Sequence, residues 1–188
     1  MSNDLRIAII VGSTRPGRKA RVVAEWVQGF TAARKAAQYE LVDIADFKLP
    51  LLDEPIPPSL GKYSQPHTKT WAAAIAKFDG FVFVTPEYNH STSGALKNAI
   101  DFLFAEWNDK AAGFVSYGSS NGVRAVEHLR QISAEVRMAD VRTAVGLSLF
   151  DDFEHFTTFK PRDVHQATIN TLLDEVERWS KAMRSVRA

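Results

Sequence analysis

The feature that most constrains this chain is a repeated change of rhythm: a short apolar run followed by an amphipathic helix, five times over. Ile7-Ala8-Ile9-Ile10-Val11 contains no polar residue and stops at Gly12, as a strand covered on both faces does. Behind it, Val22, Val23, Trp26, Val27 and Phe30 recur at helical spacing, with Arg18, Lys19, Arg21, Glu25, Gln28 and Arg34 on the wet side. Tyr39 to Ile44 reads as a second strand, and Trp71 to Phe78 as an Ala-rich helix closed by Gly80. Phe81-Val82-Phe83-Val84, held between Gly80 and Pro86, is the clearest strand. The next helix is expected to carry Leu96, Ala99, Ile100, Leu103, Phe104 and Trp107 on one face. A strand over Ala112 to Tyr117, a helix over Val123 to Val136 and a strand over Val141 to Phe150 follow. The last helix puts Ile169, Leu172, Leu173, Val176, Trp179 and Met183 on one stripe, with Asp163 and Gln166 spaced as a capping box before it.

Strand alternating with helix specifies an α/β fold, a parallel sheet with helices on both faces, wound by right-handed crossovers. A chain of 188 residues has room for one such core, so a single domain over 1–188 is expected. Pro50, Pro55, Pro57 and Pro58 make residues 48–65 an extended surface loop rather than a linker.

Composition narrows the chemistry. Lys and Arg number 23 against 22 Asp and Glu, so no excess of basic charge points to nucleic acid. Cysteine is absent, which removes disulfides, thiolate nucleophiles, iron–sulfur clusters and Cys-ligated zinc, and suits a cytoplasmic protein. His67, His90, His128, His155 and His165 show no metal-ligand spacing, and no metal is expected. Ile7 to Val11 is too short for a signal-peptide core, and no apolar stretch is long enough to cross a membrane. Trp26, Trp71, Trp107 and Trp179 all lie on apolar stripes, which suits core or subunit contact.

In an open parallel sheet the ligand lies beyond the carboxyl ends of the strands. Three strand-to-helix loops there are rich in small and polar residues. The first, Gly12-Ser13-Thr14-Arg15-Pro16-Gly17-Arg18-Lys19, offers backbone N–H groups, hydroxyls, a helix N-terminus and three cations. Together they describe an anion site, most naturally for phosphate; the plainer reading is a βα turn with solvated arginines. It is not a P-loop, because Arg18-Lys19-Ala20 follows Gly17 where Lys and then Ser or Thr are required.

The second loop, Thr85-Pro86-Glu87-Tyr88-Asn89-His90-Ser91-Thr92-Ser93-Gly94, can grip a planar heterocycle by edge hydrogen bonds, with Ser91 or Ser93 also free to cap the next helix. The third, Ser116-Tyr117-Gly118-Ser119-Ser120-Asn121-Gly122, can bring backbone close to a flat ligand. It also matches the Gly-x-Ser-x-Gly elbow of serine hydrolases, with Asp151 or Asp152 and then His155 or His165 in the right chain order. A hydrolase, however, has no use for the basic loop after the first strand.

Gly12-Ser13-Thr14-Arg15, then Pro86-Glu87-Tyr88-Asn89-His90-Ser91 leading into Gly94-Ala95-Leu96-Lys97-Asn98-Ala99-Ile100-Asp101, then Ser116-Tyr117-Gly118 with Gly122-Val123-Arg124-Ala125, resemble the NADPH-dependent FMN reductase family. This is the family of flavodoxin-like quinone, chromate and azo reductases. The resemblance runs from residue 6 to about residue 150. It implies a five-stranded sheet in the order 2-1-3-4-5 within a three-layer sandwich, and FMN held at the strand ends. Carried over by position, it implies that Ser13, Arg15, Arg18, Lys19 and Ala20 surround the FMN phosphate. Pro86, Glu87, Tyr88 and Asn89 would line the ring and ribityl chain, and Ser116, Tyr117, Gly118 and Gly122 the other edge. Where many members carry Ser or Asn, Ala20 leaves only backbone for a phosphate contact.

The resemblance further implies a hydride passed from NADPH or NADH through flavin N5 to a quinone or similar acceptor, with no catalytic side chain. Tyr88 and His90 would shape the acceptor pocket. A homodimer or homotetramer is also implied, for which Phe102, Phe104 and Trp107 are contact candidates. An electron carrier that binds FMN without oxidising NADPH, a redox-dependent regulator and the Ser120 hydrolase stand as alternatives.

Overall fold

The computed structural model describes residues 5–187. Residues 1–4 and 188, included in the expected domain, lie outside the described residues. In chain order the elements are β1 (Leu5–Val11), α1 (Ala20–Gly29), β2 (Ala37–Asp43), α2 (Pro66–Ala76), β3 (Gly80–Pro86), α3 (Gly94–Asp101), β4 (Ala111–Gly118), α4 (Val123–Glu135), β5 (Ala139–Ser148), a two-stranded hairpin of β6 (Phe153–Glu154) and β7 (Thr158–Phe159), and α5 (His165–Val186). The sheet runs β2-β1-β3-β4-β5, every pair parallel, as the resemblance implies. The strand order reverses between β1 and β3, so their carboxyl ends diverge there and leave a crevice.

Period-two alternation sorts the strand side chains onto two faces. Ile7, Ile9, Val11, Val82, Val84 and Val115 pack beneath α1 and α5. Ala8, Ile10, Phe81, Phe83, Ala112 and Phe114 face α2, α3 and α4. One layer is aliphatic. The other is aromatic, with the Trp71 and Trp107 ring centroids 6.1 Å apart and those of Phe81 and Trp107 4.9 Å apart. Each buried indole donates to a backbone carbonyl, Trp71 to Ala99 at 2.8 Å and Trp107 to Ile100 at 3.1 Å, so neither polar handle is left unsatisfied.

Several expectations need correction. α3 ends at Asp101, and the chain continues through tight turns closed by Leu103 N–H to Ile100 at 3.2 Å and Trp107 N–H to Phe104 at 3.1 Å. Those turns keep Leu103 and Trp107 pointed at the core without helical geometry. Phe102 and Trp107 are fully buried in their own chain and cannot supply a subunit contact; Phe104 is half-buried. Ile44 opens a 3-10 turn, Ile44–Phe47, instead of ending β2, because the Asp43 carboxylate accepts from Ala45 N–H at 3.0 Å. The capping box before α5 does not form. Asp163 accepts from the Gln166 side chain at 2.7 Å, and Val164 stands at the cap with no side-chain bond. Trp179 is half exposed on its helix.

Candidate functional site

The loops after β1, β3 and β4 converge at the crevice. Gly12 N–H donates to Val84 O at 2.8 Å, and Ser93 Oγ donates to Gly12 O at 2.6 Å, which ties the first loop to the second. Glycine is required at position 12, since a Cβ there would lie 2.6 Å from Val84 O. Glu87 N–H to Tyr117 O at 2.9 Å ties the second loop to the third. Gly122 allows the third loop to fold back on itself: its φ is 74° and a Cβ would lie 2.5 Å from Ser116 Cβ.

A cleft of about 90 Å³ lies between them, lined by Arg15, Gly17, Arg18, Lys19, Pro86, Glu87, Tyr88, Tyr117, Gly118 and Leu149. One end of it is cationic. α1 begins at Ala20 with no side-chain cap and no acidic residue in its first turn, so its N–H groups and the positive end of its dipole are open to an anion. Among the described residues, Arg15 and Lys19 have no carboxylate partner; they lie over the rings of Tyr88 and Phe153 at 5.9 and 5.8 Å. Arg18 is already engaged with the buried Asp43 at 2.7 Å, although its Nε is left without a partner.

The wall beside it is aromatic. Tyr117 is buried in the wall, and its hydroxyl faces the backbone N–H of Ala20 and the Tyr88 hydroxyl but makes no hydrogen bond of ordinary geometry. Burial, then the neighbouring Tyr88, pushes its pKa upward, so it stays a neutral donor. Tyr88 crosses the mouth, with its hydroxyl 3.2 Å from Ser13 Oγ.

The predicted residues divide into two groups. Ser13, Arg15, Arg18, Lys19, Ala20, Pro86, Glu87, Tyr88, Tyr117 and Gly118 come together at this cleft. Ser116 and Gly122 support it from behind, where Ser116 Oγ donates to Asn121 O at 2.7 Å. Asn89 and His90 stand outside on an exposed bend, both at positive φ, 48° and 74°. Ser120 Oγ accepts from Arg124 at 2.8 Å, a permanent cation that cannot take its proton, so the hydrolase elbow has no base at hand.

Two residues were overlooked at the sequence level. Arg124 holds the nearly buried Glu87 carboxylate through its guanidinium and its N–H, and also meets His90 Nδ1 at 3.1 Å. A basic residue in the first turn of α4, against the helix dipole, was the available signal. Leu149 closes the cleft from the end of β5 and carried no signal.

FMN asks for donors and cations at a phosphate, a hydroxyl-rich flank for the ribityl chain and a wall for a flat ring. The cationic helix start, Ser13 and the unpaired Tyr117 hydroxyl meet those demands.

A sheet in this order with a cationic cleft at its reversal point defines a flavodoxin-like nucleotide-binding protein. The fold superposes on the flavoenzyme NAD(P)H:(acceptor) oxidoreductase of Paracoccus denitrificans with a TM-score of 0.73 at 20% identity, over 95% of this chain and 98% of that one. The profile of the NADPH-dependent FMN reductases matches residues 5–152, and the chain belongs to that family. It is 40% identical over 146 residues to an NAD(P)H-dependent FMN reductase of Schizosaccharomyces pombe, covering 77% of this chain and 73% of the relative. It is also 30% identical over 199 residues to a quinone reductase of Pseudomonas putida, covering 99% and 100%.

Proposed function

We propose that this protein is an FMN-containing oxidoreductase that draws electrons from NAD(P)H and delivers them to quinones or similar small acceptors. The observation that carries the reading is the cleft itself: a buried, unpartnered tyrosine hydroxyl beside an open helix start and its uncommitted cations. Bound FMN supplies the two-electron chemistry that no side chain here can provide.

The chain's own residues position and polarise. Arg15, Lys19 and the first N–H groups of α1 hold the phosphate, with Ser13 beside them. Arg18 joins them by releasing part of its hold on Asp43. Tyr117 would donate toward the ribityl chain or the ring edge, and Gly118, where an added Cβ would lie 3.1 Å from Glu87 Cβ, would offer its backbone to the ring. Arg124 fixes Glu87, so the second loop keeps its shape. His90, which meets Arg124 at 3.1 Å on the exposed bend, would serve the acceptor pocket with Tyr88.

The same reading takes residues 1–188 as one FMN-binding domain and the protein as a cytoplasmic homodimer or homotetramer. Supporting an assembly, Leu51, Leu52, Ile56 and Leu60 are exposed together on the proline-rich loop. That loop is fastened to α3 by Asn98 Nδ2 to Pro50 O at 2.7 Å and Leu52 N–H to Asn98 Oδ1 at 2.9 Å. Among the described residues no helix is long and apolar enough to cross a membrane.

The test is the visible spectrum of the purified protein before and after anaerobic NADPH. The expected result is a flavin band that bleaches. A band that survives NADPH supports the electron carrier, and a protein that stays colourless after added FMN overturns the reading.

A further inference from the structure

The hairpin of β6 and β7 begins one residue past the family match, which stops at residue 152. Its root is Asp152, whose carboxylate is fully buried. It accepts from Ser148 N–H at 2.8 Å, Arg162 N–H at 3.0 Å, Arg162 Nε at 3.1 Å and His165 Nε2 at 2.9 Å. From this base the hairpin grips α1 at two points. Phe159 meets the Trp26 ring at 5.9 Å, and the buried Phe153 presents its ring to the Lys19 ammonium at 5.8 Å. Lys19 caps α1 and lines the cleft, and Trp26 lies about two helical turns further on. Phe153 also packs on Phe159 at 5.0 Å and on the Tyr117 ring at 6.1 Å. One buried ring thus adjoins both a cation and an aromatic wall of the cleft.

Lys19 needs such a hold. The positive end of the helix dipole repels a cation at its cap, and a lysine stem swings freely into solvent. A carboxylate could fix the ammonium, but it would cancel the charge that a phosphate requires. The acids of this segment are engaged elsewhere. Glu154 pairs with Lys160 at 2.6 Å, Asp152 with Arg162 and His165, and Asp151 with Arg162 at 3.9 Å, while Asp163 accepts from the Gln166 side chain at 2.7 Å. An aromatic face, by contrast, attracts an ammonium without neutralising it.

We propose that Phe153 is a positioning residue for flavin selection. Its ring keeps the Lys19 ammonium, uncancelled by any carboxylate, at the start of α1, and so favours FMN over riboflavin, the same ring system without a phosphate. The inference rests on the reading of the cleft as an FMN site.

The test is fluorescence titration of the flavin-free full chain with FMN and, separately, with riboflavin. It compares the wild type, Lys19→Met, Phe153→Leu and the two changes combined. Phe153→Leu is expected to raise the FMN Kd roughly four-fold relative to that of riboflavin. In the Lys19→Met background the same change should leave the ratio of the two Kd values unmoved. Because Phe153→Leu also removes core contacts, a chain with pentafluorophenylalanine at position 153 serves as the second variant. It keeps the packing but reverses the charge distribution of the ring, and should shift the ratio in the same direction. A ratio unchanged in both variants, an equal loss of both flavins, or a shift that persists undiminished without Lys19 overturns the proposal. A wild type that binds FMN no better than riboflavin removes the phosphate site and the proposal with it. A wild type that binds neither defeats the FMN reading itself.

Discussion

The two ends of the sheet are built on opposite principles. At the amino end, charges are paired. Asp79 accepts from Arg6 N–H at 2.9 Å, Arg184 Nη2 at 2.6 Å and Arg187 Nη2 at 2.7 Å. The buried Lys110 donates to Ile75 O and Ala76 O at 3.3 and 3.2 Å, closing the end of α2. At the carboxyl end, Tyr117 Oη, Arg18 Nε and Arg124 Nε are buried without partners. Asn89, His90 and Asn121 hold left-handed backbone there, and Arg15 and Lys19 have only rings for company. The amino end commits its charges to ion pairs, with the Ser180 hydroxyl beside Gly80 unpartnered there as well, whereas the carboxyl end leaves the Tyr117 hydroxyl, Arg15 and Lys19 for a ligand.

That contrast breaks if substitutions at the two ends have the same consequences. Asp79→Ala removes the carboxylate shared by Arg184, Arg187 and the Arg6 N–H. It should lower unfolding free energy by about 2–3 kcal/mol, below the range for a fully buried pair because the arginines are partly solvated. Urea melts measure the loss, while FMN bound per chain should not change. Burial alone would raise the Asp79 pKa, but the Arg184 hydrogen bond, the Arg6 N–H and the two guanidinium charges outweigh it and hold it below the ordinary value. Its contribution is therefore complete above about pH 4 and disappears as pH falls through the lowered pKa.

At the other end, Arg15→Ala should weaken FMN binding by about 2 kcal/mol, the scale of one charge-assisted hydrogen bond, with stability unaltered; flavin fluorescence titration reads it. Tyr117→Phe sharpens the comparison further, since removing an unsatisfied buried hydroxyl should stabilise the flavin-free protein by about 1 kcal/mol while weakening FMN binding by a similar amount. A destabilised Tyr117→Phe would mean that this hydroxyl already had its partner.

A pH-dependent effect concerns Lys110. Burial, followed by the Arg187 charge, lowers its pKa to about 8. Between that value and its unfolded one the unfolded chain binds more protons, so this lysine makes stability rise with pH from about 8 to 10. Urea midpoints of wild type minus Lys110→Met, followed across that window, should climb.

Much of the fold was legible because strands buried on both faces can be little other than apolar: Ile7–Val11 and Phe81–Val84 declare themselves. Helix ends were harder. Leu103, Phe104 and Trp107 keep helical spacing after the helix has ended, since tight turns also present residues to a core at intervals of three or four. The three loops of the site were readable from their polarity, but commitments between distant residues were not. Nothing local announces that Arg18 is held by Asp43 or Glu87 by Arg124, because each pair joins loops from different strands. The hairpin at 153–159 escaped for the same reason. Its two-residue strands are fixed by Asp152 and by packing on Trp26 and Tyr117 instead of by pattern.

The strand order also sets a timetable for the nascent chain. β1 is made before β2 and β3, and it lies between them. Its β2 edge can pair as soon as residue 43 is available, but Ile7 to Val11 stay open on the other edge until Gly80–Val84 arrive. For that interval the most apolar strand of the chain is half-dressed, and long-range parallel pairing is slow and prone to the wrong partner. Of the helices that cover it, α1 is made before β2 and α5 only after β5. A ribosome that pauses in the proline-rich stretch before α2 would prolong the exposure, so the cell's chaperones have their clearest opportunity there.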